Sequence, residues 1–202
     1  MMNAYARRSL LAVPLLAGLG CSDPVPPPAQ AAITLEIGQP NTPVMGKNCP
    51  EVKTYQVGAF DSKTMMTLAP SLTTTPPTPG QSVISGENHS TINCSVTGSG
   101  GNFKFSGSIN AVSANSAGPI TVNFLNGVIN GTTGTADVSV YTTGLLTTVG
   151  PAPCTFQIVN GQIKGGSMWA SFSCPDLESS PSYACGILQA QTTVVFENCS
   201  GS

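Results

Sequence analysis

Seven cysteines and a single histidine are the residues through which this chain could do metal, redox or nucleophilic chemistry. The cysteines are Cys21, Cys49, Cys94, Cys154, Cys174, Cys185 and Cys199. No C-x-x-C pair occurs among them and His89 offers a lone imidazole, so a zinc site, which needs several such ligands at short spacing, is not expected. A nucleophile triad needs a base held beside Ser or Cys. His89 lies in the polar, turn-like stretch Glu87-Asn88-His89-Ser90 with no G-x-S-x-G in the chain, and reads as an exposed turn histidine. A secreted hydrolase built on His89 is the rival reading. The carboxylates Glu36, Glu51, Asp61, Glu87, Asp137, Asp176, Glu178 and Glu197 are scattered rather than paired for glycosidic chemistry. Asp176 and Glu178 lack calcium-loop spacing, and Gly98-Ser99-Gly100-Gly101 lacks the lysine and helix of a phosphate loop and reads as a hairpin turn. The expectation is a chain with no catalytic residue, no metal and no cofactor.

Cys21 differs from the other cysteines in what precedes it. Arg7 and Arg8, the only arginines, come before an apolar run from Leu10 to Leu19 interrupted by Pro14, which is the n-region and h-region of a signal peptide. A run of about ten apolar residues is too short for a bilayer, which takes ~20. It ends in Gly18-Leu19-Gly20-Cys21-Ser22, which resembles the lipobox of bacterial lipoproteins. In that class the cysteine becomes an acylated mature N-terminus, so the resemblance implies a signal peptide over 1–20 and a lipid anchor, palmitate included, on Cys21. Gly18 stands where the family favours Leu, and Leu19 where it favours a small residue. A plain secretory signal cut after Ala29-Gln30-Ala31 competes with this reading. Arg7-Arg8-Ser9-Leu10-Leu11 loosely resembles a twin-arginine signal, but an ordinary pair of n-region positives accounts for it.

With Cys21 set aside, six cysteines remain, an even number in an exported chain, and three disulfides are expected. Six cysteines allow fifteen connectivities. The local pair is Cys174 with Cys185, flanking the Pro- and Ser-rich segment Pro175 to Ala184, a loop whose closure contributes about 3 kcal/mol.

The 202 residues hold one domain plus extensions, and only 8% are charged. Five lysines and nine acids lie beyond Cys21, a formal charge of −4 without the basic patch that nucleic acid or anionic lipid requires. With 22 Gly, 17 Pro, 22 Ser, 22 Thr and 13 Asn, turn formers and small polar residues make up nearly half the chain. Pro24, Pro26, Pro27 and Pro28 favour extended polyproline geometry, so 21–32 reads as a stiff tether and 33–202 as a single disulfide-bonded β domain.

Period-two alternation recurs along that domain. It runs through Ile33, Leu35 and Ile37; Ile92, Cys94 and Val96; Phe103 and Phe105; Ile120, Val122 and Phe124; Ala136, Val138 and Val140; Met168, Ala170, Phe172 and Cys174; and Val194 and Phe196. Each set presents an apolar face and a Ser/Thr/Asn face, as in half-buried antiparallel sheet. The expected fold is all-β, an antiparallel β-sandwich stabilised by disulfides. Asn126-Gly127-Val128-Ile129-Asn130-Gly131 recurs 34 residues on as Asn160-Gly161-Gln162-Ile163-Lys164-Gly165. Ser106-Gly107-Ser108-Ile109-Asn110-Ala111 is a weaker third copy. Asn-Gly favours a hairpin turn, which would set Phe124 opposite Ile129 and Ile158 opposite Ile163. Thr73 to Gly80, with Pro76, Pro77 and Pro79, cannot be a central strand and reads as a surface loop or as a hinge between an N-terminal section, 33–72, and the main β part, about 83–199, of one sandwich.

Trp169-Ala170-Ser171-Phe172-Ser173-Cys174-Pro175, with Cys185 and Phe196-Glu197-Asn198-Cys199, resembles short uncharacterised lipoproteins of myxobacteria. More loosely, Cys94 to Phe105, Asn126 to Ala136 and Val194 to Ser200 resemble the mycobacterial lipoprotein antigen family. Both resemblances imply a surface β domain on a lipid anchor without assigned catalysis.

By strand parity Trp169 faces away from the cysteine-bearing side and, with Tyr141 and Tyr183, forms a candidate patch for sugar or protein, against the plainer reading of Trp169 packed under a loop. Asn88, Asn93, Asn130 and Asn198 satisfy N-x-[ST], which a bacterial host leaves bare and a eukaryotic secreted glycoprotein would not. The sequence thus points to an exported, envelope-anchored lipoprotein, at an outer membrane or cell surface, acting as a non-catalytic structural, adhesive or binding module. Its partners would be the membrane and an envelope protein or glycan. The alternative is a carrier holding an apolar ligand or lipid inside the sandwich.

Overall fold

Residues two apart share one face of a strand, and in the computed structural model every alternating segment named above is a strand whose apolar members point inward. The structure describes residues 25–40, 45–49, 52–58, 60–61, 66–67, 83–86, 90–113, 119–142, 151–180, 183–187 and 192–201. Segment 1–20, Cys21, Glu51, the Pro-rich stretch 73–80, Glu87, Asn88 and His89 lie outside the described residues.

Five N-terminal strands come first: β1 (Gln30–Gly38), β2 (Lys53–Val57), β3 (Phe60–Asp61), β4 (Met66–Thr67) and β5 (Val83–Ile84). Long strands follow: β6 (Thr91–Ser99), β7 (Asn102–Val112), β8 (Pro119–Asn130), β9 (Thr133–Thr142), β10 (Ala152–Lys164) and β11 (Ser167–Ser180). β12 (Tyr183–Ile187) and β13 (Thr193–Glu197) end the series. From β6 to β11 each strand pairs antiparallel with the next. β12 and β13 then share one lane, because the partners of β11 run from Phe196 opposite Met168 back to Tyr183 opposite Ser180. β1 flanks the same lane, with Gln30 opposite Glu197 and Gly38 opposite Gly186. β2 and β5 lie on the far side of β1, and β3 with β4 forms a separate antiparallel pair.

The long sheet coils back on itself. Phe124 on β8 meets Phe196 on β13 with ring centroids 5.5 Å apart, and the Tyr55 hydroxyl on β2 lies 3.3 Å from Thr142 Oγ1 on β9. The seam is hydrogen-bonded. Val96 N donates to Ser200 O and Ser200 N to Cys94 O, each at 3.0 Å, and Gly166 N donates to Val96 O at 2.9 Å. The Ser113 hydroxyl accepts from Gln56 N and donates to Gln56 O, both at 3.2 Å, which satisfies backbone groups on the outer side of β2. The result is the expected all-β, sandwich-like antiparallel architecture. Its interior is filled by phenylalanines: Phe156 stacks on Phe172 at 5.0 Å, while Phe124 meets Phe156, Phe172 and Phe196 edge-on.

All six cysteines expected in bridges form them: Cys49 with Cys185, Cys94 with Cys199, and Cys154 with Cys174. Three disulfides belong to an oxidising, non-cytoplasmic compartment. The expected Cys174–Cys185 pair is corrected. Cys185 is one residue from Gly186 and lies opposite Leu177, past an irregularity in the β11–β12 register. Cys174 instead faces Cys154 across the β10–β11 ladder, with Cα atoms 4.3 Å apart, within the reach a disulfide needs.

The Asn-Gly expectation is corrected as well. Asn126-Gly127 is an irregularity inside β8, not a turn, and Phe124 lies opposite Val138 rather than Ile129; Asn160-Gly161, with φ of 48° and 68°, has the backbone of the expected tight turn, but inside an excursion of β10 between Ile158 and Ile163. Ile158 lies opposite Ala170, and Ile163 opposite Met168. The strand reversals fall a few residues later, at Gly131-Thr132 and Gly165-Gly166, so each copy of the 34-residue echo sets an irregularity before a hairpin, one extra residue in β8 and three in β10. Gly100-Gly101 is a hairpin turn as expected, with φ of 60° and 84° that suit a type I′ turn. β1 begins at Gln30, so Gln30, Ala31 and Ala32 are strand rather than tether.

Gly107 on β7 faces the phenylalanine cluster so closely that an added Cβ would lie 2.6 Å from Phe196 Cζ. Gly107→Ala is expected to destabilise the protein by about 1–3 kcal/mol through overpacking, read as a lower urea midpoint with unchanged slope. Replacing Cys154 and Cys174 together by Ala removes a bridge of sequence separation 20 and should cost about 3 kcal/mol in the same assay.

Candidate binding face

Because strand parity sends the apolar side chains inward, the opposite parity builds the outer face. The pairing register lines these outward residues into rows that cross the strands. One row runs Ser99, Asn102, Asn130, Thr133, Gln157, Ser171, Thr193, Thr34, Gln56, every member polar and uncharged. The next runs Thr97, Lys104, Val128, Thr135, Thr155, Ser173. A third, Asn93, Ser108, Asn123, Ser139, is tied by hydrogen bonds from Asn93 Nδ2 to Ser108 Oγ at 3.5 Å and from Asn123 Nδ2 to Ser139 Oγ at 3.2 Å. Lys104 and Asp137 are the only charged residues in β6 through β9, and their charges cancel.

A bulge breaks the regularity of this face. β8 carries one more residue than either neighbour between Phe124 and Val128, and Asn126 takes up the excess at φ 55°, a left-handed conformation that Asn tolerates. Asn126 Nδ2 donates to Asp137 Oδ2 at 3.0 Å. Gly127 turns inward, where a Cβ would lie 2.4 Å from the Phe105 ring, so the position requires glycine. The outward parity shifts from Thr121, Asn123 and Leu125 before the bulge to Val128 and Asn130 after it. Leu125 and Val128 are left 47% and 40% exposed. Two shallow depressions meet at Val128. One, of about 410 Å³, lies over Thr97, Lys104, Ser106 and Asn126; the other, of about 470 Å³, lies over Asn130, Thr133, Thr135, Thr155 and Gln157.

The expected aromatic patch is not assembled, and this corrects the sequence reading. Trp169 is buried, beside Val195 and Ala32 in one row on the side away from the phenylalanine cluster, as parity required. Tyr183 lies opposite Ser180, eleven residues along β11 from Trp169, which is about 35 Å of extended strand. Tyr141, three residues past the Val138–Ala152 rung, is exposed at the same end of the sheet as Tyr183. The plainer reading of Trp169, as a packed side chain, is the one that holds.

Glu36, Asp137, Asp176 and Glu197 sit on β1, β9, β11 and β13, and none lies opposite another in the register. Among the described residues no cluster of three or more His, Cys, Asp or Glu is placed to hold a metal. Sequence reasoning missed Leu125 and Val128 because Asn126-Gly127 was read as a reversal, which would have hidden the parity change. Compared with family models, with curated proteins and with solved structures, the chain matches none.

Trp169→Ala is expected to destabilise the fold by about 3–5 kcal/mol, whereas Tyr141→Ala should stay within about 0.5 kcal/mol of the parent. Chemical denaturation of both variants checks the separation of a packing residue from a surface one.

Proposed function

We propose that this is an exported lipoprotein, acylated on Cys21, whose β domain is a non-catalytic binding or adhesive module at an envelope surface. The observation that carries the reading is the outer face: rows of Ser, Thr, Asn and Gln side chains in register, exposed from Ser99 through Asn102, Asn130 and Thr133 to Gln157, held on a disulfide-bonded sheet. Hydroxyls and carboxamides both donate and accept hydrogen bonds, which suits recognition rather than proton transfer. The carrier alternative draws less support, since Phe124, Phe156, Phe172 and Phe196 occupy the space between the two sides where an acyl chain would lie.

The start of β1 favours lipidation at Cys21 over cleavage after Ala31. Gln30 and Ala31 pair with Glu197 and Phe196 on one side and with Ile84 and Val83 on the other, and cleavage there would remove both rungs. Asn198 Nδ2 also donates to Pro28 O at 3.3 Å, fastening the end of the tether to the domain. On this reading the end of the sheet with the Gly131-Thr132 and Gly165-Gly166 turns faces the membrane.

Intact mass spectrometry of the native protein is expected to give residues 21–202 plus a diacylglycerol and an acyl group, less six hydrogens for three disulfides. A mature chain beginning at Ala32, or an unmodified Cys21 behind a retained leader, would overturn the anchored reading.

A further inference from the structure

We propose that the exposed band centred on Val128 binds a neutral polysaccharide laid across strands β6 to β10, a reading that rests on the domain being a binding module and supplies its ligand class. The charge of the band selects the ligand. Lys104 is the one charged member of the two rows flanking Val128, and Asp137 two residues from Thr135 balances it, so neither a polyanion nor a polycation finds a matching field.

The hydrogen-bonding groups point the same way. Asn102, Asn130, Thr133 and Gln157 are all exposed and side by side in the register, and each donates and accepts. Sugar hydroxyls do both as well, so either orientation of a hydroxyl finds a partner. The short side chains of Asn102, Asn130 and Thr133, fixed on a paired sheet, also lose little rotamer freedom on binding. Val128 supplies apolar surface for the C–H face of a sugar ring.

The shape fits a chain better than a single ring. The two depressions lie on either side of Val128, which lines both, and together they reach from β6 to β10, four inter-strand steps or about 19 Å. The bulge at Asn126 brings Val128 outward between Lys104 and Thr135, so one apolar side chain serves both depressions.

Affinity electrophoresis of the full-length, detergent-solubilised protein in gels containing dextran, mannan, amylose or a β-1,3-glucan tests the proposal, with polygalacturonate as the charged control. At least one neutral polymer should retard the parent protein, and raising salt from about 50 mM to about 500 mM should leave the retardation unchanged. Val128→Lys and Gln157→Ala, each verified as folded by its denaturation midpoint, should weaken it about tenfold, equivalent to about 1.4 kcal/mol. The proposal falls if no neutral polymer retards the protein, if only polygalacturonate does, or if both folded variants bind like the parent. It also falls if Val128→Lys instead abolishes a self-association seen by sedimentation. Loss of retardation with the acylated mass intact refutes the ligand and leaves the anchored module standing; retardation with an unmodified Cys21 does the reverse.

Discussion

Phe124 is the point through which the two sides of the coiled sheet are held together. Its ring lies within 5.5 to 6.1 Å of three others, Phe156, Phe172 and Phe196, contributed by β10, β11 and β13. Edge-to-face pairs of this kind add about 0.5–1.5 kcal/mol each beyond the burial of the rings. A sheet whose inner face is lined by such side chains cannot stay flat in water, and curling over the cluster is what removes that face from solvent. The close approach also explains why Gly107 lacks a side chain: the Phe196 ring takes the volume a Cβ would occupy.

Curling leaves a seam, and the covalent bonds lie where the seam and the edges need them. Cys94–Cys199 joins β6, the first lane of the meander, to the segment after β13, beside the hydrogen bonds that Ser200 makes with Cys94 and Val96. Cys49–Cys185 ties the segment before β2 to β12, across a sequence separation of 136. Both bridges close long loops, for which the entropy removed from the unfolded chain is largest. β6 is thereby covered on the side away from β7, and the backbone groups that an open edge would offer to another chain are partly used.

With the interior filled by apolar side chains and the seam closed, the outer face is free to vary in chemistry without cost to the core. It carries small uncharged polar residues across the lanes, and a bulge in β8 alters its relief at one place. That arrangement separates two demands on the same strands. Inward parity supplies the packed core, outward parity supplies the polar surface, and Asn126 is where the two are exchanged within a single strand.

Much of this was determined by the sequence alone. Alternation at Ile120, Val122 and Phe124 and its counterparts specified strands and their buried faces, because a strand's side-chain period is two whatever its neighbours are. An even set of cysteines apart from Cys21 specified three bridges, and the Gly100-Gly101 turn was legible because positive φ at both positions is a local preference. Partnership was decided only in three dimensions. Cys174 joins Cys154 rather than Cys185 because register, not proximity in sequence, sets which Cβ atoms meet. Asn126-Gly127 forms a bulge rather than a turn because Asn-Gly satisfies either conformation, and the choice falls to the neighbouring strands and to the Phe105 ring packed on Gly127. Trp169, Tyr141 and Tyr183 carry no signal of their separation for the same reason: local residue type sets which face a side chain takes, while lane order and register set who stands beside it.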